Sequence, residues 1–294
     1  MKPAAFDYYA PASLEEALDT LDRLGYDGKV LAGGQSLIPA MNFRMARPTA
    51  LVDLNKVKEL FYITPTDDNG LLIGTMTRDS EVEHSKVVLE RASSIVESMP
   101  HIAHPQIRNR GTFGGAMAHA DPAGQLPGVG LALDAKFHVR SKNADRWVDA
   151  DDFFTGPFMT VIEPHEMLSE VKIPGLLPHS GTTYRQTERQ HGAQAQVAVS
   201  VNVALDQNNK CCKANIVMLC VGERPMLIPN ASKMLLGQVP TAALIEEVAN
   251  YTASKEIDPS DDIHATADYR RHVTQVLLRQ ALTDAFITAG KKGG

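Results

Sequence analysis

The chain has 294 residues and a mass of 32.0 kDa, and a prior of roughly one domain per 150 residues predicts two domains. Hydrophobic residues make up 44% and charged residues 22%, and 29 basic against 35 acidic residues leave a net charge of −6 with no like-charged block, which argues against a nucleic-acid binder. No run of about 18 apolar residues marks a membrane span, and the first residues lack the apolar core of a secretory signal, so a cytoplasmic protein is expected.

In chain order, Ser13-Leu-Glu-Glu16 fits a capping box, and Leu14, Ala17, Leu18, Leu21 and Leu24 recur at helical spacing up to Gly25. Lys29-Val-Leu-Ala32 reads as a buried strand running into Gly33-Gly34-Gln35-Ser36, and Leu51-Val-Asp-Leu54 as the next strand. The opening segment is thus a small β-α-β unit with a glycine turn at one strand end. A strand at Leu71-Leu-Ile-Gly74 follows, then a short helix around Val82 capped by Thr77, and a longer helix over 87–98. After a stretch dense in unusual residues, 101–115, the segment 116–133 is small and apolar. Strands at 136–140 and 167–173 complete this second lobe, and Pro174, Gly175 and Pro178 mark the linker.

Beyond the linker, a strand at 182–185 precedes two alternating segments, 197–205 and 214–221, joined by an Asp206-Gln-Asn-Asn209 turn, which predicts an antiparallel meander. Helices at 241–254 and 267–289 follow, and 291–294 is expected to fray. Cys211, Cys212 and Cys220 are too few for a zinc site or cubane cluster. An adjacent pair in a strand also points to opposite faces. They read as reduced thiols, and the chain is expected to hold no metal.

Two glycine pairs carry the chemical signal, Gly33-Gly34 and Gly114-Gly115. Glycine permits close backbone approach and the positive φ that aims successive N–H groups at phosphate oxygens. Neither segment matches the phosphate-loop or dinucleotide fingerprint, so each is either a structural turn or a diphosphate cradle. His101, His104 and His119 read as polar residues around a pocket. Arg108 and Arg110 either face an anion or belong to a solvated loop. Asp121-Pro122 either reaches ribose or ribityl hydroxyls or is an ordinary turn, and Tyr8-Tyr9 reads as packing. No nucleophile–base grouping has usable spacing, so no catalytic residue is assigned.

Lys29-Val-Leu-Ala-Gly-Gly-Gln-Ser-Leu-Ile-Pro39 with Asn42-Phe-Arg44, and His104-Pro-Gln-Ile-Arg-Asn-Arg-Gly-Thr-Phe-Gly-Gly115 with Ala118-His-Ala-Asp-Pro122, resemble the FAD-binding medium subunits of the molybdenum hydroxylases. These include the carbon monoxide, quinoline, nicotine and caffeine enzymes, related to the flavin domain of xanthine dehydrogenase. The resemblance runs from Phe6 to the tail, where Asp262-Ile-His-Ala-Thr-Ala-Asp-Tyr-Arg-Arg271 looks like the closing helix. It implies an α+β fold of the vanillyl-alcohol-oxidase (PCMH) type. The FAD-binding domain would cover 1–176, with subdomains of about 1–57 and 58–176, and a C-terminal domain of antiparallel sheet plus helices would cover 177–294.

By position, the resemblance implies that Lys29, Val30, Leu31, Ala32, Gly33, Gly34, Gln35, Ser36 and Leu37 wrap the FAD diphosphate with backbone amides. Gly111, Thr112, Gly114 and Gly115 would form a second diphosphate turn, Thr112 donating its hydroxyl. Ile102 and Ile107 would lie against the cofactor, Ala118 would contact it, and Asp121 would meet ribityl or ribose hydroxyls. Leu168 would pack beside the isoalloxazine, and Arg185 matches a basic position near the flavin carbonyls. Ala116, Gln125 and Gln194 depart from the family pattern, Gln125 in place of an Asp and Gln194 in place of an aromatic that covers the flavin.

The implied function is noncovalent FAD in an electron-transfer subunit. A small subunit with two [2Fe–2S] clusters would deliver electrons, and a large molybdenum-cofactor subunit would hydroxylate an N-heterocyclic, aldehyde or CO-type substrate. A dimer of heterotrimers is expected. The alternative is a free-standing flavin oxidoreductase of the same fold.

Overall fold

The structure is a computed structural model that describes residues 1–291. Of the expected frayed tail, Lys291 closes the last helix and 292–294 lie outside the described residues. Among the described residues, three larger sheets organise the chain, beside a two-stranded pairing of Phe154–Gly156 with Met159–Thr160. The first is parallel, with Ala50–Asp53 between Asp7–Tyr9 and Gly28–Leu31. Ser13 caps the Leu14–Leu24 helix, its Oγ accepting from the Glu16 amide at 3.2 Å while Glu16 accepts from the Ala12 amide at 2.7 Å. Ala17, Leu18 and Leu21 of that helix pack on Val52 and Leu54, as the helical spacing predicts.

The second sheet is antiparallel, in the order Ile63–Pro65, Leu71–Gly74, Met167–Ile173, Lys136–Arg140, Asp145–Asp149. Two expectations change here. The Asp79–Glu83 helix starts after Arg78, because the Thr77 hydroxyl is held by the backbone N–H and carbonyl of Tyr62. The single helix expected over 87–98 breaks at Ala92, whose φ of −152° and ψ of 60° split it into Lys86–Arg91 and Ser93–Ser98. The small apolar stretch after it forms Phe113–His119 and Gln125–Ala132. Phe137 anchors this core, stacked on Phe153 at 3.9 Å and edge-on to Phe154 at 5.6 Å.

The third sheet runs Ser180–Glu188, Ala195–Leu205, Cys211–Leu219, Met226–Leu227 in order, the expected meander. Its Ala195–Leu205 strand is buried on both faces. Val197, Val199, Val201 and Val203 face the 25-residue Ala267–Lys291 helix, where a Cβ on Gly181 would overlap the Ala285 carbonyl. Ala198 packs with the second lobe, where Asn202 and Asn215 both donate to the Ala132 carbonyl, at 3.2 and 3.0 Å. Two side-chain amides thus cap the C-terminal end of the Gln125–Ala132 helix and fasten the sheet to the second lobe. Cys211 is buried and Cys212 exposed, as strand alternation requires. Burial pushes the Cys211 and Cys220 thiols up to about 12, so both stay protonated. No described helix is long and apolar enough to cross a membrane.

Phe137→Ala should lower the unfolding free energy by about 3–5 kcal/mol, because it removes a stacked ring from a site that cannot collapse; equilibrium urea denaturation measures this.

Candidate functional site

The Gly28–Leu31 strand is an edge strand, paired only with Ala50–Asp53. Its residues are therefore half-exposed rather than buried as expected: Val30, Leu31 and Ala32 are partly open and Lys29 is exposed. The chain then turns through Gly33-Gly34 into the Leu37–Asn42 helix, Gly34 taking a left-handed φ of 74°. A Cβ on Gly33 would collide with the Arg110 carbonyl and lie 2.8 Å from the Gly111 Cα. Only glycine permits that approach. Among the described residues, the backbone N–H groups of Gly33, Gly34, Gln35, Ser36 and Leu37 have no acceptor. Ser36 makes no side-chain cap bond, and the Gln35 amide group donates to the Gly33 carbonyl at 2.8 Å. Five successive donors around a positive-φ turn form a concavity suited to an anion.

The second turn touches the first but is built differently. Segment 111–114 pairs antiparallel with 75–79: Gly114 N donates to Thr75 O at 3.0 Å, Phe113 N to Thr77 O at 2.9 Å, and Asp79 N to Gly111 O at 3.1 Å. Gly111 N donates to Ile107 O at 2.6 Å, and Gly115 N to Thr112 Oγ1 at 3.2 Å. The amides of Gly111, Gly114 and Gly115 are therefore engaged by protein acceptors, unlike those of the first turn. Thr112 keeps its own N–H without an acceptor among the described residues, and its hydroxyl hydrogen stays free while the oxygen caps the Phe113–His119 helix. The glycines serve packing: a Cβ on Gly114 would overlap Thr75, one on Gly111 would collide with Asp79, and one on Gly115 would sit 2.5 Å from Thr112 Oγ1 and 3.4 Å from the Ala32 Cβ.

Ile102 and Ile107 are half-buried at the loop leading to this turn, and Ala118 is exposed on the Phe113–His119 helix. Asp121 accepts from Ala123 N through Oδ1 at 2.8 Å, an Asx turn that leaves Oδ2 free. Arg108 is buried and its anion is internal: it donates to the Glu83 carboxylate at 2.7 and 3.0 Å and to the Ile102 carbonyl at 3.0 Å. Leu168 is buried in the second lobe's core, 4% exposed, with little surface to offer a ring. Arg185 is a correction. Strand alternation turns it to the far face of its sheet, where its Nε donates to Asp284 of the long helix at 2.8 Å. Its neighbours Tyr184 and Gln186 face the second lobe instead. Burial raises the Tyr184 phenol well above its ordinary value, and its hydroxyl donates to Gln186 Oε1 at 2.6 Å. Gln125 donates to the same oxygen at 3.1 Å and to the His101 carbonyl at 3.3 Å, while Gln186 donates to Glu188, which lies 3.4 Å from His101. The sequence reading assigned no role to Tyr184, Gln186 or Glu188, although period-2 alternation from Arg185 places all three on the other face.

Residues 4–176 match the family model described as the FAD binding domain in molybdopterin dehydrogenase, and 182–285 match the CO dehydrogenase flavoprotein C-terminal domain. The chain belongs to this flavoprotein family. The 6-hydroxypseudooxynicotine dehydrogenase complex subunit alpha of Paenarthrobacter nicotinovorans is 38% identical over 285 residues, 97% of this chain and 96% of that protein. A carbon monoxide dehydrogenase structure from Hydrogenophaga pseudoflava superposes with a TM-score of 0.93 at 33% identity, covering 98% of this chain and 99% of that one. Quinoline 2-oxidoreductase from Pseudomonas putida 86 follows at 0.91 and 31% identity, with 100% of both chains covered. The mixed α and β architecture expected from the sequence is the fold of these solved flavoprotein chains.

The flavoprotein's own geometry fits a dinucleotide: a glycine cradle with unmatched donors, beside half-exposed apolar strand residues that a planar group can cover. One buried acid stands next to it. Asp79 is 3% exposed with Oδ1 unpartnered, and burial pushes its carboxyl up to about 7, against the pull of Arg108 and Arg78.

Gly34→Val should abolish flavin retention while far-UV circular dichroism stays native, since a branched side chain at positive φ displaces the amides; full flavin occupancy would make the turn merely structural. Because the folded Asp79 holds its proton up to about 7 and an unfolded one releases it near 4, stability should fall as pH rises from 4 to 7. Asp79→Asn should flatten that slope and be more stable than the parent at pH 8 by about 1–3 kcal/mol, measured by denaturation across pH.

Proposed function

We propose that the chain carries one noncovalent FAD and serves as the electron-transfer subunit of a molybdenum hydroxylase complex. The observation that carries this reading is the run of acceptor-free amides from Gly33 to Leu37, set around a left-handed glycine against the second turn. These amides would donate to the diphosphate, joined by the N–H and hydroxyl of Thr112. The free Oδ2 of Asp121 would accept from ribityl or ribose hydroxyls, and Ile102 and Ile107 would give apolar contact. Lys29, Val30, Leu31, Ala32 and Ala118 would border the cofactor. Arg185 is left out of this set because Asp284 holds it on the far face.

Bound FAD supplies a centre that accepts electrons singly and passes them on in pairs. The chain's residues bind and orient it. The organic chemistry belongs to a large molybdenum-cofactor subunit, and a small [2Fe–2S] subunit delivers the electrons. Dependence on partners is supported by relatives named as a complex subunit and as medium chains. We further propose a dimer of heterotrimers working in the cytoplasm. The division into a FAD-binding domain over 1–176, with subdomains of about 1–57 and 58–176, and a C-terminal domain over 177–294 belongs to the same proposal.

Acid precipitation of the purified protein should release one FAD per chain into the supernatant; flavin left in the pellet would overturn noncovalent binding. Flavin bleaching by an organic substrate should occur in the reconstituted complex and not in the isolated chain. Rapid reduction of the isolated chain by such a substrate would instead establish a free-standing flavin oxidoreductase.

A further inference from the structure

The two glycine turns belong to different sheets, and side chains join them. Asn55, just past the Ala50–Asp53 strand, donates through Nδ2 to the Ala32 carbonyl at 3.0 Å. Its Oδ1 accepts from Arg78 Nη2 at 2.6 Å, and Arg78 Nη1 donates to the Arg110 carbonyl at 2.6 Å. One unbroken chain of hydrogen bonds therefore runs from the residue before Gly33 to the residue before Gly111.

Each member is held in orientation. Asp53 Oδ1 accepts from both the backbone and the side-chain nitrogen of Asn55, at 2.8 and 2.5 Å, and Asp53 Oδ2 accepts from Tyr8 Oη at 2.6 Å. A flipped Asn55 amide would face its oxygen toward the Asp53 carboxylate and the Ala32 carbonyl, so only one orientation survives. The Arg78 guanidinium lies 5.4 Å from the Phe61 ring centroid, and the Arg78 backbone bridges Thr112. Its two N–H groups diverge to two acceptors in different lobes, which a lysine ammonium on a flexible stem cannot reproduce with the same geometry.

We propose that Asn55 and Arg78 form a clasp that sets the spacing of the two turns, making Arg78 a positioning residue for the diphosphate. This rests on the FAD-binding reading above and extends it to residues that need not touch the cofactor. The clasp acts on a narrow gap: the space between Gly33 and the Arg110–Gly111 backbone is too small for even a Cβ. Hydrogen bonds from a guanidinium hold that approach, so their loss lets the amides of Gly33–Leu37 drift away from Thr112.

The test follows FAD release from the full chain by recovery of flavin fluorescence, in the parent and in Arg78→Ala, Arg78→Lys, Asn55→Ala and the Asn55→Ala/Arg78→Ala pair. Release should quicken roughly 10- to 100-fold in Arg78→Ala, the scale of a lost charge-assisted hydrogen bond. Arg78→Lys should recover part of the loss. The double variant should be far from additive, since either change breaks the same chain. Unchanged release in Arg78→Ala, or additive effects in the pair, would overturn the clasp. If Arg78→Ala does not fold, Arg78→Lys and Asn55→Ala decide: parental release rates in both would overturn it. A parent chain that binds no FAD would defeat the cofactor reading itself, an outcome separate from failure of the clasp.

Discussion

The site depends on one close approach, of the Gly33 backbone to the Arg110 carbonyl and the Gly111 Cα. No side chain fits there. Everything that brings the two loops together serves that contact: the edge position of Gly28–Leu31, the pairing of 75–79 with 111–114, and the Asn55–Arg78 hydrogen bonds across the gap. Each lobe contributes a rigid element behind its turn, so the loops are positioned by strands rather than by their own preferences.

The two turns look alike in sequence and do opposite work. The first leaves its amides unmatched because the strand has ended and the Leu37–Asn42 helix has only begun, so its N–H groups have no carbonyl to meet. The second has its glycine amides taken by the Ile107 and Thr75 carbonyls and by the Thr112 cap, leaving only the Thr112 N–H without an acceptor among the described residues. A buried unpaired N–H is costly and an exposed one is a binding group. The half-open setting of the first turn is what makes its donors usable.

The third sheet is not a mere appendage. With helices on one face and the second lobe on the other, its Ala195–Leu205 strand has no solvent face. The valines that alternate along it meet the long helix, while Ala198, Ser200 and Asn202 allow the second lobe to come close. The same junction holds the Gln125–Gln186–Tyr184 hydrogen bonds. There Gln125 has two protein acceptors, the His101 carbonyl and the Gln186 side chain.

Local periodicity by itself determined the Ser13-capped helix, the Leu71–Gly74 strand, the meander with its Asp206 turn, and the location of both glycine turns, because these rest on neighbours within a few residues. What depended on distant neighbours was decided only by the tertiary structure. The Ala92 break, and the open face of Val30 and Leu31 on an edge strand, follow from packing and sheet order that no local pattern encodes. Arg185 was misdirected because a strand residue's face is set by its register against Ala195–Leu205, and that register points it to Asp284. Asn55 and Arg78 are ordinary polar residues in sequence, 23 positions apart. They become a clasp only because two sheets meet, since a side-chain hydrogen bond carries no signal until the fold has placed its acceptor.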